Sequence, residues 1–182
     1  MKKEITFKEL KDSGYKDKTI SEEIQANLIA RIQAKEPAFE GLWGYEDSVI
    51  PQLKKAILAG HHINLLGLRG QAKTKIARSM VDLLDEYMPI VKGSEINDSP
   101  FNPISKYARD LIEENGDETP IAWVHRSNRF FEKLATPDVN VYDLIGDIDP
   151  IKAATLKLPY SDERVLHYGM IPRANRSIFV LN

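Results

Sequence analysis

Apolar residues recur along the chain at helical and strand-like spacings. From Ile20 to Ile32 they stand at every fourth position, which predicts a helix with one apolar face. Thr19 followed three residues later by Glu22 is a capping-box sequence, in which each side chain satisfies a backbone donor of the first turn. Pro37 predicts that this helix ends near residue 35.

The remaining pattern predicts strands that alternate with helices. The predicted elements are a helix from Val49 to Ile57 stopped by Gly60, a strand at residues 62–66, a helix with apolar positions from Ile76 to Leu84 that ends before Pro89, a strand opening at Ile90, a helix capped by Asn102 and Pro103 and closed by Gly116, and strands at residues 121–125 and 177–181. Residues 126–176 are irregular and predict loops, short helices and a hairpin. The alternation is typical of the α/β class and predicts a mostly parallel sheet flanked by helices.

Composition narrows the function classes. The chain has 182 residues, about one domain, with 42% hydrophobic and 29% charged residues. Its net charge of -2 gives no reason to expect a nucleic-acid or anionic-membrane partner, and the lack of cysteine excludes disulfides and thiolate chemistry. Since the sequence holds neither a signal-peptide pattern nor a run of eighteen apolar residues, we expect a cytoplasmic protein without a membrane span. The polar residues 1–18, with six lysines, are expected to be a loosely ordered lead-in.

The candidate chemistry lies in GLRGQAKT, residues 67–74, which fits the phosphate-loop pattern G-x-x-x-x-G-K-[ST] except at Ala72. Gly67 and Gly70 let the backbone curl so that N–H groups converge on an anion. Lys73 supplies a positive charge for the terminal phosphates, and Thr74 offers a hydroxyl to the accompanying magnesium ion. Alanine is tolerated at position 72 if it keeps ordinary helical angles. We therefore expect ATP and Mg²⁺ as ligands, bound by Gly67, Leu68, Arg69, Gly70, Gln71, Ala72, Lys73 and Thr74.

A phosphate-loop ATPase also needs an apolar strand ending in an acid that helps to hold magnesium. The candidate is SIFVLN, residues 177–182, in which Asn182 takes the place of the acid. An amide oxygen accepts a hydrogen bond from a metal-bound water but brings no negative charge. We therefore expect weaker metal binding and impaired hydrolysis. In the alternative interpretation, residues 177–181 are only a core strand.

Three segments resemble the magnesium-chelatase and MoxR branch of the AAA+ ATPases. Residues 56–77, AILAGHHINLLGLRGQAKTKIA, resemble the MoxR-type phosphate loop with its Ala-Lys-Thr ending. Residues 143–149, DLIGDID, are similar to the segment that precedes the insert of chelatase motors. Residues 169–182, GMIPRANRSIFVLN, resemble the approach to the chelatase Walker B strand. The similarity spans residues 42–182, most of the chain.

The resemblance implies a P-loop NTPase fold. It divides the chain into a helical extension at residues 1–38 and a partial AAA+ core at residues 39–182, with insertions at about 126–176. It implies Lys73 as a catalytic residue, Thr74 and Asn182 at the metal, and Gly44 and Tyr45 against the adenine, with Tyr45 replacing the usual glutamine. The family's later strands lie beyond this sequence. We therefore expect an N-terminal fragment with a sheet that is incomplete at its C-terminus, and a poor ATPase in isolation.

The resemblance also implies a mode of action. Members form a homo-oligomeric ring, a hexamer, and use ATP to remodel a partner protein or to act through a von Willebrand-type adaptor, as in metal insertion or complex maturation. Asn182 keeps open the alternative of a switch or assembly subunit that binds nucleotide without hydrolysing it. A small-molecule kinase is a third alternative, which the long separation of Lys73 from Asn182 disfavours.

Two weaker patterns are interpreted structurally. Asp143, Asp147 and Asp149 lie close together, but the neighbouring glycine and proline are typical of turns rather than of a metal site. Trp43 and Trp123 are expected in the core or in a pocket wall rather than as stacking platforms.

Overall fold

The computed structural model describes residues 2–182, which form an α/β protein with short sheets. In chain order the strands and α-helices are β1 (Ile5–Thr6), α1 (Phe7–Asp12), α2 (Ile20–Gln33), α3 (Val49–Leu58), α4 (Lys73–Ser79), β2 (Tyr87–Val91), α5 (Lys106–Asn115), β3 (Pro120–His125), β4 (Phe130–Lys133), α6 (Val141–Ile145), β5 (Gly146–Ile148), α7 (Pro150–Leu156), β6 (Leu166–Tyr168), α8 (Met170–Arg173) and β7 (Ile178–Leu181).

The chain forms two compact units. The first combines the segment up to Asp17 with Tyr87–Leu181, and the second comprises Lys18–Glu86 together with Asn182. Along the sequence, residues 18–86 of the second unit are therefore inserted between two segments of the first unit. The division of the sequence at residue 38 stays a prediction about domain organisation.

The strands form three small sheets, all in the first unit. β2 and β1 flank β3 with antiparallel pairing, and β5 pairs antiparallel with β6. Only β4 and β7 are parallel among the described strands, with Phe130 opposite Ile178 and Lys133 opposite Leu181. The α/β class is as predicted, but a mostly parallel sheet is not formed by residues 2–182, and the antiparallel pair within residues 126–176 is joined through α7 rather than by a hairpin turn. Strand polarity depends on which strands pair, and apolar runs do not encode it.

Residues 2–18 differ from the expected loose lead-in. β1 pairs with β3, and α1 begins with a capping box between Thr6 and Glu9. Phe7 and Leu10 are buried and pack with Ile121 of β3. The capping-box spacing is therefore present in this segment. Its many lysines give it a polar composition, which does not indicate that two apolar residues anchor it.

The second unit begins with α2, as predicted from its capping box. Thr19 and Glu22 exchange the two capping hydrogen bonds, and Ile24 and Leu28 of this helix are buried. α3 contributes Leu53 and Ile57 to the buried residues of the unit. Gly60 has φ +70°, the left-handed conformation predicted after this helix.

The strand predicted at residues 62–66 is absent from the described structure. Residues 61–68 form no hydrogen-bonded strand, and the side chains of Leu66 and Leu68 are 87% and 77% exposed. A short apolar run becomes a strand only where another strand satisfies its N–H and C=O groups. The helix after the loop is also shorter than predicted, because α4 ends at Ser79 and continues as a 3₁₀-helix to Leu83.

The start of α5 lies later than predicted. Its N-cap is Ser105, whose hydroxyl accepts a hydrogen bond from the Ala108 N–H, so the Asn102–Pro103 cap is wrong. The Asp98 carboxylate accepts the N–H groups of Ile104 and Ser105 and thereby holds the preceding turn outside the helix. The closure of α5 by Gly116, at φ +51°, is confirmed.

Candidate functional site

The glycine loop lies in the second unit, directly before α4. α4 is anchored by Ile76 and Ala77, which are 2% and 7% exposed. Residues 67–71 are exposed, and residues 72–74 are half-buried. The loop is thus accessible to a ligand, while the residues at its C-terminal end are fixed by the helix.

Lys73 folds back into the loop. Its ammonium Nζ donates hydrogen bonds to the carbonyl oxygens of Gly67, at 2.9 Å, and of Leu68, at 2.7 Å. The loop therefore curves around a positive charge. A lysine ammonium is a compact cation with three donors, and it can exchange carbonyl oxygens for phosphate oxygens without moving its backbone.

The Gln71 side chain closes the other side of the loop. Its Oε1 accepts the Leu68 N–H at 2.8 Å, and a Cβ on Gly67 would collide with this same oxygen. A Cβ on Gly67 would therefore have to displace the flexible end of the Gln71 side chain. Gly70 is required by its backbone, because its φ of +82° is a conformation that L side chains rarely adopt.

Ala72 does not keep the ordinary helical angles expected of it. Its φ of +53° and ψ of 19° place it in the left-handed region. For a residue with a Cβ this conformation costs about 1 to 2 kcal/mol. The motif has glycine at this position, and the observed backbone supplies a physical reason for glycine there.

Thr74 and Asn182, the two residues predicted at the metal, lie side by side. Asn182 groups with the second unit, and its Nδ2 donates to Thr74 Oγ1 at 3.4 Å. Rotation of the amide would turn its oxygen towards the hydroxyl, giving two neutral oxygen ligands of the kind that Mg²⁺ accepts. Among residues 2–182 no group of three or more His, Asp or Glu side chains is placed to hold a metal. A metal here would therefore rely on Thr74, Asn182 and oxygens of its ligand.

The predicted adenine turn has a defined geometry of its own. Gly44 has φ +81°, and the Tyr45 carbonyl accepts the N–H groups of Ser48 and Ile50 at the start of α3. Trp43 is 83% exposed, so its placement in the core is wrong.

Sequence reasoning missed a residue that joins this turn to α4. The Lys75 Nζ donates to the Gly41 carbonyl at 2.5 Å. Residue 75 lies just outside the motif, so the motif does not distinguish it.

The three clustered aspartates cap local structure, as expected. Asp143 forms a capping box with Asn140 at α6, Asp149 accepts the first N–H groups of α7, and Asp147 accepts the Ile148 N–H. Each carboxylate therefore has its own backbone partner.

The segment before β7 that carries part of the family resemblance also has a structural role. Arg176 donates to the Pro89 carbonyl and pairs with Asp17 at 3.0 Å, and Asn175 donates to the Ile96 carbonyl. These contacts tie the end of the irregular region to β2 and the turn after it, within the first unit.

A separate cavity of about 520 Å³ lies in the first unit, between α5, α7 and β6. Tyr107, Ile151, Lys152 and Tyr168 are among its lining residues. The residues predicted to bind nucleotide do not line it, so it is a distinct feature of the molecule.

No helix of the described residues is both long and apolar enough to cross a membrane.

Comparison with known proteins adds no relative. No protein-family model, curated protein or solved structure matches the chain.

Proposed function

We propose that residues 67–74 bind the phosphates of ATP with Mg²⁺, and that the chain is the ATP-binding module of an AAA+ ATPase of the magnesium-chelatase and MoxR type. In this proposal, ATP binding and hydrolysis in a hexameric ring drive the remodelling of a partner protein. The observation that carries it is the curved glycine loop closed around the Lys73 ammonium.

The phosphate part of the proposal rests on charge and backbone together. The loop places Lys73 where it bonds two loop carbonyls, and left-handed residues at Gly70 and Ala72 turn the chain before α4. Such turns direct successive N–H groups towards one point, where an anion is stabilised. A triphosphate therefore meets both a fixed cation and backbone donors.

The metal part rests on Thr74 and Asn182. Their side chains lie within 3.4 Å of each other and offer two oxygen atoms, the ligand type that Mg²⁺ prefers. Bound Mg²⁺ would neutralise charge on the phosphates. The parallel pairing of β4 with β7 supports the same proposal, because Asn182 then follows the carboxyl end of a parallel strand.

ATP binding by the Lys73→Ala variant tests the proposal. We expect the dissociation constant for Mg²⁺-ATP, measured by calorimetry, to rise at least about tenfold when the charge-assisted contacts to phosphate are lost. Lys55→Ala is the matched control, since it removes an exposed lysine from α3 in the same unit. Equal affinity of the Lys73→Ala variant and the parent would remove the basis of the proposal.

The second candidate is a switch that binds ATP without hydrolysing it. The neutral Asn182 beside Thr74 favours it, since the position lacks the negative charge that holds a metal firmly. Turnover of ATP by the parent protein that is abolished by Lys73→Ala would exclude the switch.

The Asn182→Asp variant measures the effect of the missing charge. We expect Mg²⁺ to increase ATP affinity about three- to tenfold more in this variant than in the parent, because a carboxylate binds the hard cation more strongly than an amide. An identical effect of Mg²⁺ on both proteins would show that Asn182 does not lie at the metal.

A further inference from the structure

Lys75 lies between two parts of the proposed nucleotide site. It follows Thr74 directly in α4, and its Nζ donates to the carbonyl of Gly41 at 2.5 Å. The lysine stem lies against Gly41, since a Cβ on that glycine would be 3.6 Å from Nζ and 4.0 Å from Cε. The contact therefore depends on both residues.

The two ends of this contact are anchored separately. On one side, Ile76 and Ala77 fix α4 in the core of the second unit. On the other side, Phe39 and Leu42, each 5% exposed, bury the base of the loop that contains Gly41. Lys75 thus connects two ordered segments across their exposed surface.

The segment held by Lys75 leads straight into the turn that carries the exposed Trp43 and Gly44 and the half-buried Tyr45. Residue 43 is two residues from Gly41, a reach of about 7 Å. Adding the length of the lysine side chain, the turn lies within roughly the length of a nucleotide from Thr74. This upper limit is compatible with a ligand whose phosphates occupy the loop and whose base reaches the turn.

We infer that Lys75 is a positioning residue, which holds the 41–45 turn at a fixed distance from the phosphate loop and thereby selects nucleoside triphosphates over bare polyphosphate. The inference rests on the proposed function. The Lys75 ammonium donates to Gly41 and not to a carbonyl of the phosphate loop, so we expect its effect to reach the ligand through the turn.

The test compares ATP with inorganic tripolyphosphate, both with Mg²⁺, on the parent and on Lys75→Met. The ratio of the dissociation constants for tripolyphosphate and ATP measures what the nucleoside contributes. We expect this ratio to fall about three- to tenfold in Lys75→Met, the effect of losing one charged hydrogen bond that orders the turn. Tripolyphosphate affinity itself should change less than about twofold beyond that of Lys55→Met, which makes the same change of charge on α3.

Lys75→Arg keeps a donor on a long cationic side chain and should restore most of the ratio. Thermal unfolding of each variant checks that the fold is intact. An unchanged ratio in Lys75→Met, an equal loss of both ligands, or a parent ratio near one would overturn the inference. Failure of the proposed function looks different, because the parent would then bind neither ligand in a way that depends on Lys73.

Discussion

Ala72 holds a left-handed backbone inside the glycine loop, at the position where the motif has glycine. Replacing Ala72 with glycine should stabilise the protein by about 0.5 to 1 kcal/mol, since the removal of Cβ strain outweighs the added freedom of the unfolded chain. Urea unfolding followed by circular dichroism measures this. Ala77→Gly, at a buried position of α4 with ordinary helical geometry, should do the opposite. Destabilisation by both substitutions would contradict the left-handed assignment of Ala72.

Asp98 organises the turn before α5 from a fully buried position. Its Oδ1 accepts the N–H groups of Ile104 and Ser105, and its Oδ2 accepts the hydroxyls of Ser94 and Ser105. Asp98→Ala should therefore lower the free energy of unfolding by about 2 to 4 kcal/mol, because these donors lose their common acceptor. Asp98→Asn retains one oxygen and should cost less. Equal losses would contradict this account, because they would show that the oxygen retained by asparagine contributes nothing.

The Asp98 carboxylate should also make the stability of the protein depend on pH. Burial opposes its ionisation, but the hydrogen bonds from Ser105, Ser94 and Ile104 together lower the pKa of Asp98 below its ordinary value. A lowered folded-state pKa stabilises the protein above the unfolded-state pKa of about 4, and this stability is lost as pH falls through the folded-state value. The free energies of unfolding of the parent and of Asp98→Asn should therefore converge as the pH is lowered from about 7 to about 3. A constant difference between them would contradict this.

The N-terminal elements β1 and α1 belong to the core of the first unit. Leu10 is fully buried beside Phe7 and Ile121. Leu10→Ala should cost about 2 to 5 kcal/mol in the free energy of unfolding, the usual range for truncating a buried leucine. Lys8→Ala, on the exposed side of the same helix, should change it by less than about 0.5 kcal/mol. If Leu10→Ala were as mild as Lys8→Ala, the segment would be the loose lead-in that its polar composition predicts.

Local sequence signals predict the elements whose ends depend on neighbouring residues. The capping box at Thr19 and Glu22 marks the start of α2, and Gly60 and Gly116 mark the ends of two further helices. The motif spacing of residues 67–74 likewise predicts the loop. The apolar run that ends at Asn182 predicts the residue that lies beside Thr74.

Features that depend on distant partners could not be predicted in this way. The run at residues 62–66 has the composition of a strand but pairs with none among the described residues. Asp98 shifts the start of α5 to Ser105 through hydrogen bonds that no spacing rule contains. The hydrogen bond from Lys75 to Gly41 joins positions 34 residues apart, and neither residue type predicts it.

For the whole molecule, the residues of the proposed nucleotide site all fall in one of the two units. The glycine loop, Thr74 and Asn182 all belong to the second unit, whereas the first unit holds the three sheets and the separate cavity. A ligand can therefore be located by asking which unit responds to it. The proposed ring and its remodelling activity require this localisation first, because both rest on nucleotide binding at residues 67–74.

The most direct measurement is a titration of the isotope-labelled protein with Mg²⁺-ATP, followed by the backbone amide signals in nuclear magnetic resonance. We predict that the largest shifts fall on the amides of residues 67–74, with smaller shifts at residues 43–45, and that both sets disappear in Lys73→Ala. Unchanged amides at residues 67–74, with the largest shifts instead around the cavity lined by Tyr107 and Tyr168, would contradict the assignment of the nucleotide site.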